Sequence, residues 1–292
     1  MWLKLSSESI GVVVRRILGL CLVLVLLFWS GEVQAGPLAD RLAEFPSWEG
    51  KPPVNSAEGD LVYPAWMEGT WKVTSTLVDQ VAPLAPEVVT PGFESNRRYL
   101  NQPVSFLVRF QAVKSGLSAI SDRFLPLKIQ NSQRFLLPRL DKTPPVVADR
   151  AFNGLNIAKA YLGDATVQSV KVDPNSPNRQ ITVLRTDRQL VSIVTGRDSE
   201  MPEPDRFIAT EISNQVFRGI PQPFFNQVET TTAYQLKRSP NLAIAGDQVT
   251  AVYLSPQDAS YFKAVERPVA LYRYRLELQR VAATTTPSLP KQ

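Results

Sequence analysis

The sequence predicts a mainly β protein: an antiparallel up-and-down β-barrel, with one helix of about three turns, a short helical turn and an N-terminal signal helix. Three observations carry that prediction. Short alternating strands follow one another closely from Trp66 to Arg280, most of them with no helix between. The first good strand opens on Gly69-Thr70-Trp71, and the last runs out through Leu278-Gln279-Arg280. A cationic segment and a short apolar run stand at the N-terminus, and the rest of the chain has no cysteine.

Taken in order, the leader comes first. Arg15-Arg16 precedes the apolar run Ile17 to Trp29, and "SGEVQA" places Val33 and Ala35 at the −3 and −1 positions of a small-residue cleavage site. That layout is a secretory signal peptide spanning 1–35. The run is short against the ~20 residues a spanning helix needs; an uncleaved membrane anchor is the alternative. The Arg pair lacks the preceding Ser or Thr (Val14 stands there) and the following Phe of a twin-arginine signal, and the sequence does not decide between that route and the general one. The single cysteine, Cys21, lies inside the leader. The exported chain then has no disulfide to rely on and must be held by its core.

Residues 36–60 read as a short amphipathic turn, "PLADRLAEF", followed by an extended linker rich in Pro, Gly and Ser. Trp48 is the residue there that can dock on the folded body. The barrel domain is expected over 61–282, with a frayed polar tail at 283–292. Within it, "TWKVTSTLVD" places Trp71, Val73 and Leu77 on one face, and "PVSFLVRFQAV" alternates Val104, Phe106, Val108 and Phe110 with Ser105, Leu107, Arg109 and Gln111. "RQITVLRTDRQLVSIVTGR" reads as two strands around a turn at Thr186–Asp187, and "PEPD" at 202–205 as a loop. The stretch "ADRAFNGLNIAKAYLG" predicts a helix capped by Asp149 and ended by Gly163, with Ala151, Leu155, Ala158 and Leu162 on one face. "SPQDASYF" predicts the short turn, with Ser255 as its cap.

In an up-and-down barrel the last strand pairs with the first. Gly69, Trp71 and Arg280 therefore belong together at one barrel end, the indole sealing it and the Arg stem lying on its open face. Arg275 is the second candidate for the basic partner. "GTWKVTSTLVD" resembles the Gly-x-Trp opening strand of the calycin superfamily, the lipocalins and fatty-acid-binding proteins, in which a basic residue near the end of the last strand completes the pattern. The resemblance implies an interior ligand. Tyr272-Arg273-Tyr274-Arg275 departs from the Arg-x-Tyr pair that grips a carboxylate in fatty-acid-binding proteins. "FPSWEGKPPVNSAEGDLVYPAWMEGTWKVTSTLVD" and "VTPGFESNRRYLNQPVSF" are similar to an uncharacterised family shared by cyanobacteria and plant plastids. That similarity implies export to a periplasm or thylakoid lumen.

The chain has no histidine, so it builds no Ser-His-Asp triad, no Cys-His pair and no ordinary zinc site. No catalytic residue, metal or cofactor is expected, and the net charge of +5 comes without a basic run of the kind that binds nucleic acid. The acidic stretch "DSEMPEPD" lacks the spacing of a calcium loop. Phe106, Tyr272 and Tyr274 are the expected liners of an apolar ligand site. Arg109 either faces solvent or points inward as an anchor. The leading expectation is a barrel that binds a lipid, quinone or pigment-like molecule. The alternative is an accessory protein that docks on a membrane-associated partner through Trp48 and Trp66. An enzyme using inward carboxylate or Tyr chemistry ranks third.

Overall fold

A computed structural model describes residues 36–113, 144–221, 223–239 and 243–281. The expected leader with Cys21 and the tail at 283–292 lie outside the described residues. All of the architecture belongs to the unit that begins at Pro37. In chain order its main elements are α1 (Pro37–Ala43), β1 (Asn55–Ser56), β2 (Val62–Tyr63), β3 (Gly69–Val81), α2 (Phe93–Asn96), β4 (Pro103–Ala112), β5 (Val146–Ala148) and α3 (Arg150–Leu162). There follow β6 (Val167–Asp173), β7 (Ser176–Leu184), β8 (Gln189–Glu203), β9 (Arg206–Arg218), β10 (Phe224–Lys237), β11 (Ala243–Leu254), α4 (Tyr261–Ala264) and β12 (Ala270–Arg280).

The strands form one antiparallel sheet in the order β2-β5-β4-β3-β12-β11-β10-β9-β8-β7-β6, curled into a half-barrel, with β1 added beside β8. Its centre is the pairing of β3 with β12, which sets Trp71 opposite Arg280 and Val73 opposite Leu278. Trp71 is wholly buried. Its indole N–H donates to the Met67 carbonyl at 2.8 Å, and the Arg280 guanidinium lies 4.8 Å from the ring centroid. Arg280 also donates to the Glu68 carbonyl at 2.6 Å. Gly69 has φ +124, and a Cβ there would come within 2.9 Å of Arg280 Nη1. Only glycine tolerates both the torsion and the approach. Arg275, by contrast, stands on the outer face beside Glu277 and takes no part in this end.

β3 alternates from Trp71 to Ser75, is buried without a break from Ser75 to Leu77, and then has its register reset by a bulge opposite Arg273/Tyr274. The turn at Thr186–Asp187 lies in a three-residue hairpin loop between Leu184 and Arg188, and both residues have positive φ, 69 and 58. "PEPD" is a hairpin tip rather than a longer loop, since pairing persists to Glu203↔Arg206. Asp149 caps α3 by accepting from Phe152 N at 3.0 Å. The short turn lies later than expected: α4 starts after Ser260, not after Ser255, because Asp258 turns the chain first by accepting from Ser260 N.

Residues 36–60 correct the linker expectation. They lie folded on the convex face of the sheet. Leu38, Leu42 and Trp48 are buried there against Ile208, Val249, Ala251, Tyr253 and Leu271. At the centre of this second core sits Glu229, with no exposure at all. Its carboxylate accepts from Arg41 Nε and Nη2 at 3.0 Å each, from Tyr253 at 2.8 Å, from Thr231 at 3.1 Å and from the Trp48 indole at 3.3 Å. Arg41 spends its remaining donors on the carbonyls of Glu49 and Gly50. A buried carboxylate is tolerable only when so fully bonded.

Replacement of Glu229 by Gln is expected to destabilise the protein by about 3–5 kcal/mol, because it strands Arg41 in an apolar layer. The double variant Glu229→Leu/Arg41→Leu is expected to lose much less. Urea denaturation of the three proteins reads the difference, and equal losses would refute the paired-charge account.

Candidate functional site

The half-barrel is not closed by strands. Its two ends, β4–β5 on one side and β6–β7 on the other, are bridged by α3, which packs against β4, β6 and β7. A strand edge left beside a helix needs its backbone groups satisfied. Asn153 does this for β4: its Oδ1 accepts from Arg109 N at 2.6 Å and its Nδ2 donates to Arg109 O at 3.1 Å. The amide thus acts as one residue of a missing strand. The Arg109 side chain lies on the outer face, 2.5 Å from Asp149 and stacked on Phe152 at 4.4 Å. It fastens the helix start and does not point inward.

No residue of α3 is buried. The helix stands off the sheet, and a cavity of about 600 Å³ lies beneath it. Its wall combines Ile157, Ala158 and Tyr161 of the helix with Phe110, Tyr234 and Phe217 of the strands. A neighbouring cavity of about 220 Å³ is lined by Phe106, Val73, Ser75, Tyr274 and Leu276, and Ile157, Tyr161 and Tyr234 face both spaces. Tyr161 crosses from helix to sheet, its hydroxyl 3.1 Å from Ser75 Oγ. Gly154 faces the large cavity, and a Cβ there would come within 2.7 Å of the Gln180 amide.

Phe106 and Tyr274 therefore lie on a cavity wall. Tyr272 faces the same side of β12 but is packed into a closed cluster under α2, with its ring 5.9 Å from Phe93 and its hydroxyl accepting from Asn96 at 3.2 Å. Nor does the helix present the face expected from Ala151, Leu155, Ala158 and Leu162. Only Ala158 and Leu162 of those four reach the cavity. The inward row is Arg150, Asn153/Gly154, Ile157 and Tyr161, a spacing of three to four residues that the sequence does contain. Phe110 shares the alternating row of Phe106, whereas the strand residues Gln180, Glu211 and Tyr234 carried no sequence signal, because each is one inward position among many.

The ionisable groups near the large cavity are tied together. Arg150 donates to Glu211 at 2.6 Å and lies 3.4 Å from Asp60, while Arg197 lies 3.0 Å from the same Glu211 oxygen. Burial, with Tyr234 and Glu211 nearby, raises the Tyr63 phenol well above its ordinary value. Burial pushes Tyr234 up to about 12 and raises Tyr274 and Tyr161. These hydroxyls are neutral at physiological pH, so the wall offers phenol O–H groups and no phenolate.

The arrangement defines a class: an antiparallel half-barrel whose open seam is spanned by a helix over a largely apolar, solvent-open cavity. The chain belongs to the family described as Domain of unknown function (DUF6816), which matches residues 55–282. No curated protein and no solved structure matches it. The match takes in the whole sheet and both cavities but not α1 or Trp48. Trp48 is buried, and Trp66 is partly buried with its indole donating to the Pro204 carbonyl at 3.2 Å. Neither offers the open aromatic surface expected for a docking site. Among the described residues no cluster of metal-ligating side chains occurs, and no helix is long and apolar enough to cross a membrane.

Six of the eight tyrosines, Tyr63, Tyr161, Tyr234, Tyr253, Tyr272 and Tyr274, have phenols raised above the ordinary value of 10.0. A group raised in the folded state contributes stability that is whole below its unfolded value and is lost as pH climbs through the folded one. Stability is therefore expected to hold up to about pH 10 and to fall steeply between about pH 10 and 12. The tyrosinate absorbance should rise mostly with unfolding. Full ionisation at about pH 10.5 with native circular dichroism would contradict the buried placement.

Proposed function

We propose that this chain is a non-catalytic, exported β half-barrel that binds an apolar small molecule, of the lipid, quinone or pigment-like kind, between α3 and the sheet. The observation that carries the reading is the helix itself. Its inward residues, with Ile157, Ala158 and Tyr161 among them, face a solvent-open space of about 600 Å³ instead of a packed core. Protein interiors are ordinarily packed to crystal density, and a space of this size with apolar walls and a few polar groups falls within the ~300–1,000 Å³ of ligand sites. Glu211, the carboxylate on this wall, is held by two guanidiniums, which supports binding over acid–base chemistry. The export part of the proposal rests on the leader-like N-terminus. The accessory-protein reading loses its support with Trp48 inside the fold.

Native mass spectrometry and solvent extraction of protein purified from its source without detergent test the proposal. A single apolar compound near one per chain is expected. Ile157→Trp, which puts an indole into the space, should lower its occupancy at least ~10-fold while circular dichroism stays native. An empty extract from wild type, with no rise in melting temperature on adding apolar compounds, would overturn the reading.

A further inference from the structure

We infer that the cavity under α3 selects an uncharged ligand, one whose polar end is a hydroxyl, carbonyl or amide, and excludes fatty-acid and phosphate anions. The inference rests on the binding reading above and adds the charge of the ligand to it.

The walls carry it. The smaller cavity has phenols, hydroxyls and one amide on its lining but no formal charge. The larger has one cation and one anion, Arg150 and Glu211, and they are bonded to each other. Behind them Asp60 and Arg197 complete a group of two guanidiniums and two carboxylates, balanced in charge. Arg197 spends a further N–H on the Gly59 carbonyl. An anionic head group brought to this wall finds no guanidinium that lacks a carboxylate partner. It would have to displace Glu211 or sit unpaired in an apolar space, and an unpaired buried charge is strongly disfavoured.

A neutral oxygen does find partners. Among the described residues the Gln180 amide and the Tyr274 hydroxyl make no hydrogen bond to the protein, and both face the cavities. Gln180 presents both a donor and an acceptor, and Tyr274 an O–H that burial keeps protonated. The aromatic walls, with Phe106 and Phe110 beside these groups, suit a ring or an unsaturated chain. The missing carboxylate grip is also visible along β12, where Arg273 turns outward to Asp247 at 2.7 Å and Arg275 to Glu277.

Oleyl alcohol, oleamide and oleate share a hydrocarbon chain and differ in the head, so their affinities near pH 8 isolate the effect of charge. The alcohol and amide are expected to bind at least ~10-fold tighter than oleate. Glu211→Gln, which leaves a guanidinium uncompensated, should raise oleate affinity at least ~10-fold and change the alcohol little. Gln180→Leu, which removes no charge, should weaken oleamide several-fold. Oleate binding as tightly as the alcohol to the wild-type protein would overturn the inference and leave the cavity reading intact. If none of the three binds, the head group of the natively extracted compound decides. A neutral compound supports the inference, an anion overturns it, and an empty extract overturns both readings.

Discussion

The ladder between β3 and β12 is the constraint on which the rest of the fold depends. It joins segments about two hundred residues apart in sequence and brings Gly69, Trp71 and Arg280 into one contact set. Closing so long a loop is entropically unfavourable, and the contact set offsets it in several ways at once. The indole is fully buried and its N–H is satisfied by Met67. The guanidinium lies on the ring and its N–H reaches the Glu68 carbonyl. Gly69 leaves the space that the guanidinium occupies. From that seam the sheet extends both ways, through β4 and β5 on one side and β11 to β6 on the other.

Curling brings the two outer ends toward each other without joining them. A hydrogen-bonded closure would have drawn β4 and β6 to strand spacing and filled the interior with side chains. α3 takes that place instead. A helix is about twice as wide as a strand, so it holds the ends apart and leaves space below. Asn153 compensates the backbone of β4, and Arg109 with Asp149 anchors the helix start. The cavity is thus a geometric consequence of closing an antiparallel sheet with the wrong-sized element, and Tyr161, bonded to Ser75 across the gap, acts as a strut.

The convex face is equally consequential. β9 to β12 are buried on both sides, by the interior below and by α1 with Trp48 above. This blurs their alternation: β9 has four buried residues in succession, Phe207, Ile208, Ala209 and Thr210. The Glu229–Arg41 pair sits in that outer layer and ties the segment before β1 to the middle of β10. A purely apolar pairing would hold the segment as well. The charge pair adds a directional contact, because both Arg41 donors of α1 and the Trp48 indole meet the same carboxylate.

How far the sequence reaches is clearest residue by residue. Period-two alternation, closely spaced turns and the Gly-Thr-Trp opening were enough to determine an antiparallel curled sheet, its first and last strands as neighbours and the Trp71–Arg280 contact. Those are properties of local periodicity plus one topological rule. The turn at Thr186–Asp187 and the Asp149 cap were legible for the same reason: each is a short-range hydrogen-bonding pattern. What only the tertiary structure decided is where a side chain meets something distant. Trp48 reads as part of a linker until Glu229 and Tyr253 are placed beneath it. Arg109 reads as an inward anchor or a solvent-facing residue until Asp149 and Phe152 arrive beside it. Tyr272 and Tyr274 are equivalent by alternation and differ because α2 covers one of them and not the other. The cavity itself has no sequence signature, since a void is set by the distance at which α3 stands from the sheet, and that distance emerges only when every contact along the seam is made together.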